Sequence, residues 1–308
     1  MSEHLMRLGA SDLMVPPIAV GCMRISGLAS RDVERFVDQS MQLGLNFFDH
    51  ADIYGKGSCE EVFARAYKAL GYKRGQAILQ SKCGIVPGKR FDFSRDHILA
   101  SVDGILRRLD TDYLDVLLLH RPDALVEPEE VASAFDQLQS QGKVRHFGVS
   151  NQHPRQIALL RRYVKQPILA NQLQFGIMHT GMIDQGIHVN MLDEGAVDRD
   201  GGILDYCRLH DITIQAWSPF QHGFFSGVFV DNPDFPELNE ALKQVARRHE
   251  VSPTTIAVAW ILRHPARIQV VTGTTRPERL AECKAAYGVS LTRDEWYQIY
   301  LAAGNILP

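Results

Sequence analysis

Eight short apolar segments recur along this chain of 308 residues, and amphipathic segments separate them from one end to the other. Several are nearly continuous apolar runs, which is typical of parallel strands covered on both faces by other layers. The composition shows no break that would mark a second domain. The predicted strands cover residues 17–21, 45–48, 77–82, 113–120, 143–150, 168–173, 212–218 and 268–273.

The segments between these strands carry apolar residues at helical spacing. In residues 30–44 the apolar side chains fall on one helical face, with Ser30 predicted to cap the start and Gly44 to end the helix. Near the carboxyl terminus, Thr292 and Glu295 have the spacing of a capping box, which predicts a last helix after Thr292.

Repeated strand–helix units make all strands parallel, because each crossover is right-handed. Eight such units predict an α/β fold with a single (β/α)8 TIM barrel, and we predict one domain over residues 1–308. Residues 5–15 are predicted to form an N-terminal hairpin or cap. Residues 175–200 are too long for a plain connection and are predicted to form a loop over one mouth of the barrel. The sequence does not predict the conformation of that loop or of residues 219–235.

The composition excludes several classes of function. The net charge is -3 and no basic run stands out, so we expect neither a nucleic-acid partner nor a membrane-surface partner. No apolar run reaches the ~18 residues of a membrane span, and the amino terminus lacks secretory-signal features. Five cysteines are scattered without metal-ligand spacing, which predicts reduced thiols in a cytoplasmic protein and no metal site. The sequence carries no signature of oligomeric state.

Polar residues follow the predicted strands at the end where a barrel of this kind has its active site. Asp49 and Tyr54 come after the second strand, Lys82 ends the third and His120 ends the fourth. Buried polar side chains are unfavourable unless they are paired, and at one mouth of a barrel they can pair with each other. Later strands end in or near Ser150, Asn151, Gln172, Trp217 and Ser218.

These residue types suit the reduction of a carbonyl group. A phenol is a poor acid at neutral pH, but a nearby ammonium favours the phenolate, so Lys82 is expected to lower the pKa of Tyr54. Asp49 would keep Lys82 charged and oriented. His120 could donate a hydrogen bond to the carbonyl oxygen of a substrate. The sequence therefore predicts a general acid beside a pocket for developing oxygen charge.

Six motifs carry a family resemblance that covers almost the whole chain. FFDHADIYG, SKCG, LLLHRPD, GKVRHFGVSN, AWSPF and TGTTRPERLAEC stand in this order in the sequence. Their order and spacing resemble those of the aldo-keto reductases. The residues of these motifs are most similar to those of a bacterial branch of that family, the YdhF-like oxidoreductases. The resemblance implies a catalytic tetrad of Asp49, Tyr54, Lys82 and His120, with Tyr54 as the proton donor.

The resemblance also implies that NADP(H) binds extended across the barrel mouth. Ser150, Asn151 and Gln172 would hold the nicotinamide carboxamide, Trp217 would stack on its ring, and Ser218 would lie by the pyrophosphate. Thr274 and Arg279 match contacts to the 2′-phosphate, and Glu282 matches an adenine contact. Gly273 stands where some members carry a phosphate-binding lysine, so NAD(H) is also possible. The substrate pocket is expected to include Met23, Arg24 and Ile53.

Three functions are compatible with these residues. The first is a reductase for a small-molecule carbonyl compound, whose identity the sequence does not specify. The second is an aldolase-like barrel with Lys82 as a Schiff-base lysine, which needs a lowered lysine pKa. Asp49 opposes that requirement. The third is a nucleotide-sensing binding module, like some channel-associated relatives of the family; an intact tetrad argues against sensing alone.

Overall fold

Eight parallel strands form a closed barrel in the computed structural model, which describes residues 4–308. Around the barrel the strands follow their order in the chain, as repeated right-handed crossovers require. Each predicted strand is present, with ends shifted by at most two residues. Two short antiparallel hairpins, β1–β2 and β6–β7, lie outside the barrel. The strands are β1 (Met6–Arg7), β2 (Met14–Val15), β3 (Ile18–Gly21), β4 (Phe47–Asp49), β5 (Ile78–Cys83), β6 (Ile85–Val86), β7 (Arg90–Phe91), β8 (Leu114–Leu119), β9 (Val144–Ser150), β10 (Ile168–Gln174), β11 (Thr213–Trp217) and β12 (Gln269–Thr272).

Helices cover the outside of the barrel and connect successive strands. Most connections contain one helix, whereas β10–β11 and β11–β12 contain two each and two more follow β12. The helices are α1 (Ser30–Gln42), α2 (Ser58–Ala69), α3 (Arg95–Arg108), α4 (Pro128–Ser140), α5 (Pro154–Tyr163), α6 (Gly181–Ile187), α7 (Ile203–Leu209), α8 (Pro236–His249), α9 (Pro253–Leu262), α10 (Pro277–Ala285) and α11 (Arg293–Ala302). Together the two layers bury one continuous core between barrel and helices.

Local sequence signals explain several helix ends. Gly44 has a φ of 74° just after α1, a left-handed conformation that glycine adopts without strain. Thr292 and Glu295 form the predicted capping box at the start of α11. The predicted cap at Ser30 is wrong, because Ala29 is the N-cap of α1, Ser30 is its first residue, and no side chain caps this end.

The N-terminal hairpin closes one end of the barrel. Leu8 and Val15 of the hairpin are fully buried against inward-facing residues of the strands. The amide of Gly9 donates to the Thr213 hydroxyl at 2.8 Å, and a side chain at position 9 would collide with the Leu169 backbone. We call the apolar group at this end the basal cluster; it consists of Leu8, Val15, Ala19, Phe47, Val116, Leu118, Leu169, Ala170 and Val271.

Two segments contain more regular structure than the sequence predicted. The stretch 175–200, expected to be a loop, contains the two-turn helix α6 and a single 3-10 turn at Glu194–Ala196. The hairpin β6–β7 after β5 was not predicted, because its strands have only two residues each. Within residues 4–308 no helix has the length and apolar character needed to cross a membrane.

Candidate active site

Four predicted side chains meet at the end of the barrel opposite the hairpin. Asp49 is the last residue of β4, and Lys82 is the last but one of the neighbouring strand β5. Both side chains are almost completely buried, and Lys82 Nζ donates to Asp49 Oδ2 at 2.7 Å. The ammonium also donates to the His50 carbonyl oxygen at 2.8 Å and to the Tyr54 hydroxyl at 3.1 Å. Lys82 thus uses all three of its N–H donors.

The ionisation of this group differs in one respect from the expectation. Burial lowers the pKa of Lys82, but Asp49 and Tyr54 raise it more, so the net pKa lies above its ordinary value. For Tyr54, burial raises the pKa and Lys82 lowers it, and the net shift is upward. Lys82 does lower the pKa of Tyr54, as expected, but the net pKa of Tyr54 is raised and not lowered. The depth of burial, which the sequence does not report, decides the sign.

His120 follows β8 and faces Tyr54. The two ring centroids lie 6.0 Å apart with the planes almost perpendicular. Burial, followed by the positive charges of Lys82 and Arg121, lowers the pKa of His120 well below its ordinary value, so the imidazole is neutral at pH 7. Its buried Nδ1 has no hydrogen-bond partner within residues 4–308. A neutral imidazole keeps one N–H group, from which it can donate a hydrogen bond.

Beneath Asp49 lies a set of buried glutamines that the sequence reasoning missed, apart from Gln172. Asp49 Oδ1 accepts from Gln80 Nε2 at 2.6 Å and from Gln172 Nε2 at 3.0 Å. Gln215 and Gln269 continue the hydrogen bonds across the barrel. The available signal was alternation: Gln80 stands two residues before Lys82 and therefore points to the same side of β5.

Residues predicted to hold a nicotinamide lie on β9, β10 and β11. Ser150 Oγ donates to the Gln172 carbonyl oxygen at 3.0 Å, and Asn151 Nδ2 donates to Ser150 Oγ at 2.7 Å. Trp217 Nε1 donates to Asn151 Oδ1 at 3.3 Å. Asn151 and Ser218 both have positive φ values, 54° and 52°, which turn the chain sharply where each strand ends. These hydrogen bonds bring together the four residues predicted to contact the nicotinamide, and Ser218, predicted to lie by the pyrophosphate, directly follows Trp217.

The predicted phosphate and adenine residues lie beyond β12. Gly273 and Thr274 follow the strand, while Arg279 and Glu282 are on the first turns of α10. Among residues 4–308 Arg279 makes no salt bridge within 4.0 Å. Arg24, expected in the substrate pocket, is exposed beside this group, and its Nη1 donates to the Gly273 carbonyl oxygen at 3.0 Å.

The loop after β4 holds the remaining candidates. Ile53 is half-buried directly before Tyr54, and Met23 is half-buried with its carbonyl oxygen accepting from Cys59 Sγ at 3.3 Å. His50 is fully buried, neither ring nitrogen has a partner in the described part of the chain, and burial lowers its pKa to about 3. For Asp52, burial and then the neighbouring Glu60 raise the pKa to about 7. Within residues 4–308 no group of three His, Cys, Asp or Glu side chains could hold a metal ion.

Comparisons with known proteins agree with this arrangement. The aldo/keto reductase family model matches residues 17–302. The oxidoreductase YdhF of Escherichia coli is 34% identical over 284 residues, which cover 90% of this chain and 89% of YdhF. A 6-dehydroglucose reductase of Agrobacterium fabrum is 31% identical over 313 residues, with 97% and 98% of the two chains covered. The crystal structure of the thermostable aldo-keto reductase Tm1743 with the inhibitor epalrestat has a TM-score of 0.78 at 27% identity, and the match covers 97% of this chain and 99% of that one.

The chain belongs to the aldo/keto reductase family. Within that family it lies with the YdhF-like oxidoreductases, as the wording of its motifs predicted. The predictions of the family and of the (β/α)8 barrel are confirmed.

Proposed function

We propose that this protein is an NADPH-dependent reductase that converts an aldehyde or ketone to an alcohol, with Tyr54 as the general acid. The observation that carries the proposal is the contact between the Tyr54 hydroxyl and the Lys82 ammonium, 3.1 Å apart at the mouth of the barrel. The ammonium is itself fixed by the buried Asp49 carboxylate at 2.7 Å. A phenol positioned in this way can release its proton, because the cation stabilises the phenolate that remains.

Each tetrad residue has a distinct part in this proposal. Tyr54 gives a proton to the carbonyl oxygen, and Lys82 stabilises the resulting phenolate. Asp49 keeps Lys82 protonated, and its charge contributes to the raised pKa of Lys82. Neutral His120 donates a hydrogen bond to the same oxygen and holds the substrate near Tyr54. The reduced nicotinamide, when bound, supplies the hydride for the carbonyl carbon.

Unpaired polar groups at the mouth fit a dinucleotide with an additional phosphate. No side-chain donor within residues 4–308 reaches Gln172 Oε1, although its Nε2 binds both Asp49 and Gln215. That oxygen suits an amide N–H such as the nicotinamide carboxamide. Arg279 has no carboxylate partner in the described chain, and Arg24 lies on the neighbouring Gly273 carbonyl. Two cations near the first turn of α10 suit a 2′-phosphate, which NADH lacks.

The aldolase-like alternative is disfavoured by the same geometry. A Schiff-base lysine must lose its proton, whereas Asp49 and Tyr54 raise the pKa of Lys82. We also propose a cytoplasmic location, because all five cysteines are buried free thiols.

The proposal is tested by following NADPH oxidation with a panel of aldehydes and ketones, and with NADH in parallel. The panel should contain hydroxylated aldehydes, since the Agrobacterium relative is a 6-dehydroglucose reductase. We expect turnover of at least one carbonyl compound, faster with NADPH than with NADH. Tyr54→Phe should lower kcat by about 10²-fold or more, because a positioned acid contributes that much.

Binding measurements separate a reductase from a nucleotide-sensing module. Tyr54→Phe should bind NADPH as the wild type does, because the phenol acts on the substrate. If the wild type binds NADPH tightly but reduces nothing in the panel, the sensing function replaces the proposal. If Tyr54→Phe keeps nearly full activity, the assignment of the acid is wrong.

A further inference from the structure

A continuous chain of buried amides runs across the inside of the barrel from its closed end to Asp49. We call its four glutamines, Gln80, Gln172, Gln215 and Gln269, the amide layer. All four are at most 3% exposed. Gln269 Nε2 donates to the Pro16 carbonyl oxygen at 2.8 Å, and Gln215 Nε2 donates to Gln269 Oε1 at 2.8 Å. The chain thus begins at the backbone next to the N-terminal hairpin.

The other end of the amide layer reaches Asp49 by two routes. Gln215 Oε1 accepts from Gln80 Nε2 at 2.9 Å and from Gln172 Nε2 at 3.1 Å. The same two amide nitrogens donate to Asp49 Oδ1 at 2.6 Å and 3.0 Å. Gln215 Nε2 also donates to Gln80 Oε1 at 3.0 Å, so these two amides bind each other in both directions.

The acceptors at the two ends of the amide layer fix the orientation of every side-chain amide in it. A backbone carbonyl and a carboxylate can only accept, so Pro16 and Asp49 both require an N–H. Turning Gln269 over would place its oxygen against the Pro16 oxygen. Turning Gln80 over would place an oxygen against Asp49 Oδ1. A single flip would therefore remove hydrogen bonds and bring acceptors together inside a buried site, where an unpaired polar group is most unfavourable.

These hydrogen bonds fix the position of the Asp49 carboxylate and give its two oxygens different partners. Oδ1 is occupied by two amide donors, and Oδ2 is left to the Lys82 ammonium at 2.7 Å. A buried ion pair gains little from its attraction alone unless further hydrogen bonds satisfy its remaining lone pairs. The amide layer supplies these bonds from within the barrel wall.

We propose that Gln80, Gln215 and Gln269 are positioning residues that orient Asp49, and through it the Lys82 ammonium beside Tyr54. The expected effect on catalysis rests on the proposed function. The expected ordering of Lys82 rests on the hydrogen bonds alone. Gln215 is the most informative position, because it makes no hydrogen bond to Asp49 or Lys82 and yet accepts from both amides that donate to Asp49.

The test compares Gln215→Met with Thr213→Val. Methionine has nearly the length of glutamine and no strong donor or acceptor. Thr213 stands two residues before Gln215 on the same inner face of β11, but its hydroxyl binds the hairpin amide of Gly9 and not the amide layer. Thr213→Val therefore removes a buried hydrogen bond from the same strand without disturbing Asp49. Gln269→Met, one hydrogen bond further away, is the second variant should Gln215→Met fail to fold.

Two measurements are needed. The first uses isotope-labelled, cofactor-free protein, in which the NMR signal of the Lys82 ammonium reports how fast its protons exchange with water. The signal is assigned by its loss in Lys82→Arg. We expect exchange about tenfold faster in Gln215→Met and unchanged exchange in Thr213→Val. With cofactor and carbonyl, we expect kcat of Gln215→Met to fall about 10- to 100-fold while KM changes little, because misplacement of a catalytic group acts on the chemical step.

The outcomes are distinct. Faster ammonium exchange together with a lower kcat, both absent from Thr213→Val, supports the positioning role. Unchanged exchange, or a kcat that falls equally in Thr213→Val, overturns it and leaves the amide layer as ordinary core. If the wild type reduces no carbonyl compound, the proposed reductase function fails, while the exchange measurement still decides whether the amide layer orders Lys82.

Discussion

The two ends of the barrel interior are lined by opposite kinds of side chain. At the closed end the basal cluster is entirely apolar, and the N-terminal hairpin excludes water from it. From Asp49 and Lys82 at the open end, the amide layer runs back through the barrel interior to Gln269 near the hairpin, and these polar side chains are buried and hydrogen-bonded. Phe47 and Ala170 of the basal cluster thus lie on strands whose next inward positions carry the polar residues Asp49 and Gln172.

This difference separates the residues that stabilise the fold from those that can take part in chemistry. Apolar residues at the closed end contribute by leaving water and by filling space. Charged residues at the open end are unfavourable to bury, and under the proposed function their arrangement holds charges where the reaction needs them. A substitution at the closed end should therefore affect folding, and a substitution at the open end should affect activity.

The largest effect is expected for Leu8→Ala in the basal cluster. Leu8 is fully buried and lies on the hairpin, on no strand that carries a catalytic side chain. Its truncation should lower the free energy of unfolding by about 2–5 kcal/mol, the usual range for a buried Leu→Ala change. Urea unfolding measures this loss. The kcat of the folded fraction should stay at the wild-type value, and a large fall in kcat would show that the two ends are coupled.

The sequence predicted that Asp49, Tyr54, Lys82 and His120 lie together, because this grouping follows from the order of the strands and from the residues at their ends. The strand containing Phe48 and the one containing Leu79 are adjacent in the barrel, so Asp49 and Lys82 had to meet once both strands were assigned. The polar residues at the ends of β9, β10 and β11 were predicted together for the same reason. The organisation of residues 1–308 as one domain stays a prediction.

Properties that depend on the depth of burial or on the direction of a side chain were not predictable in the same way. The sign of the Tyr54 pKa shift depends on how completely the phenol is buried, and no motif reports this. Gln80 and Gln215 were each treated as part of a strand, although alternation with Lys82 and Trp217 shows that they point inward. The hydrogen bond from Arg24 to the Gly273 carbonyl oxygen was not predicted either, because the two residues are 249 positions apart in the chain.

A smaller and more selective effect is expected for Arg279→Ala at the edge of the open end. A charged hydrogen bond to phosphate is worth roughly 1.5–3 kcal/mol, so NADPH should bind about 10- to 100-fold more weakly. NADH lacks the phosphate and should bind as before. Arg276→Ala, three residues earlier at the N-cap of α10, is the matched control for loss of one positive charge. Equal losses for NADPH and NADH would make Arg279 a structural residue.

The smallest effect concerns the pH dependence of stability at Asp52, in the loop that carries Tyr54. Burial and Glu60 raise the folded-state pKa of Asp52 to about 7, against the opposing charge of Arg108. An unfolded aspartate has a pKa near ~4. Between these values the folded protein keeps a proton that the unfolded chain has lost, so this group makes stability fall as pH rises from about 4 to 7. Above that range its full destabilising effect is present.

Asp52→Asn removes this effect, so the variant should gain stability relative to the wild type as the pH rises from 5 to 8. One pKa unit corresponds to ~1.4 kcal/mol, and partial exposure of Asp52 reduces its share, so we expect a relative gain of about 1–2 kcal/mol. Urea unfolding of both proteins at the two pH values measures the difference. Asp112→Asn, at an exposed position before β8, controls for the loss of one negative charge. If the relative stability of Asp52→Asn is the same at both pH values, Asp52 is ionised throughout. The buried polar region would then extend less far into this loop than Asp52 Oδ1, which has no hydrogen-bond partner within residues 4–308, indicates.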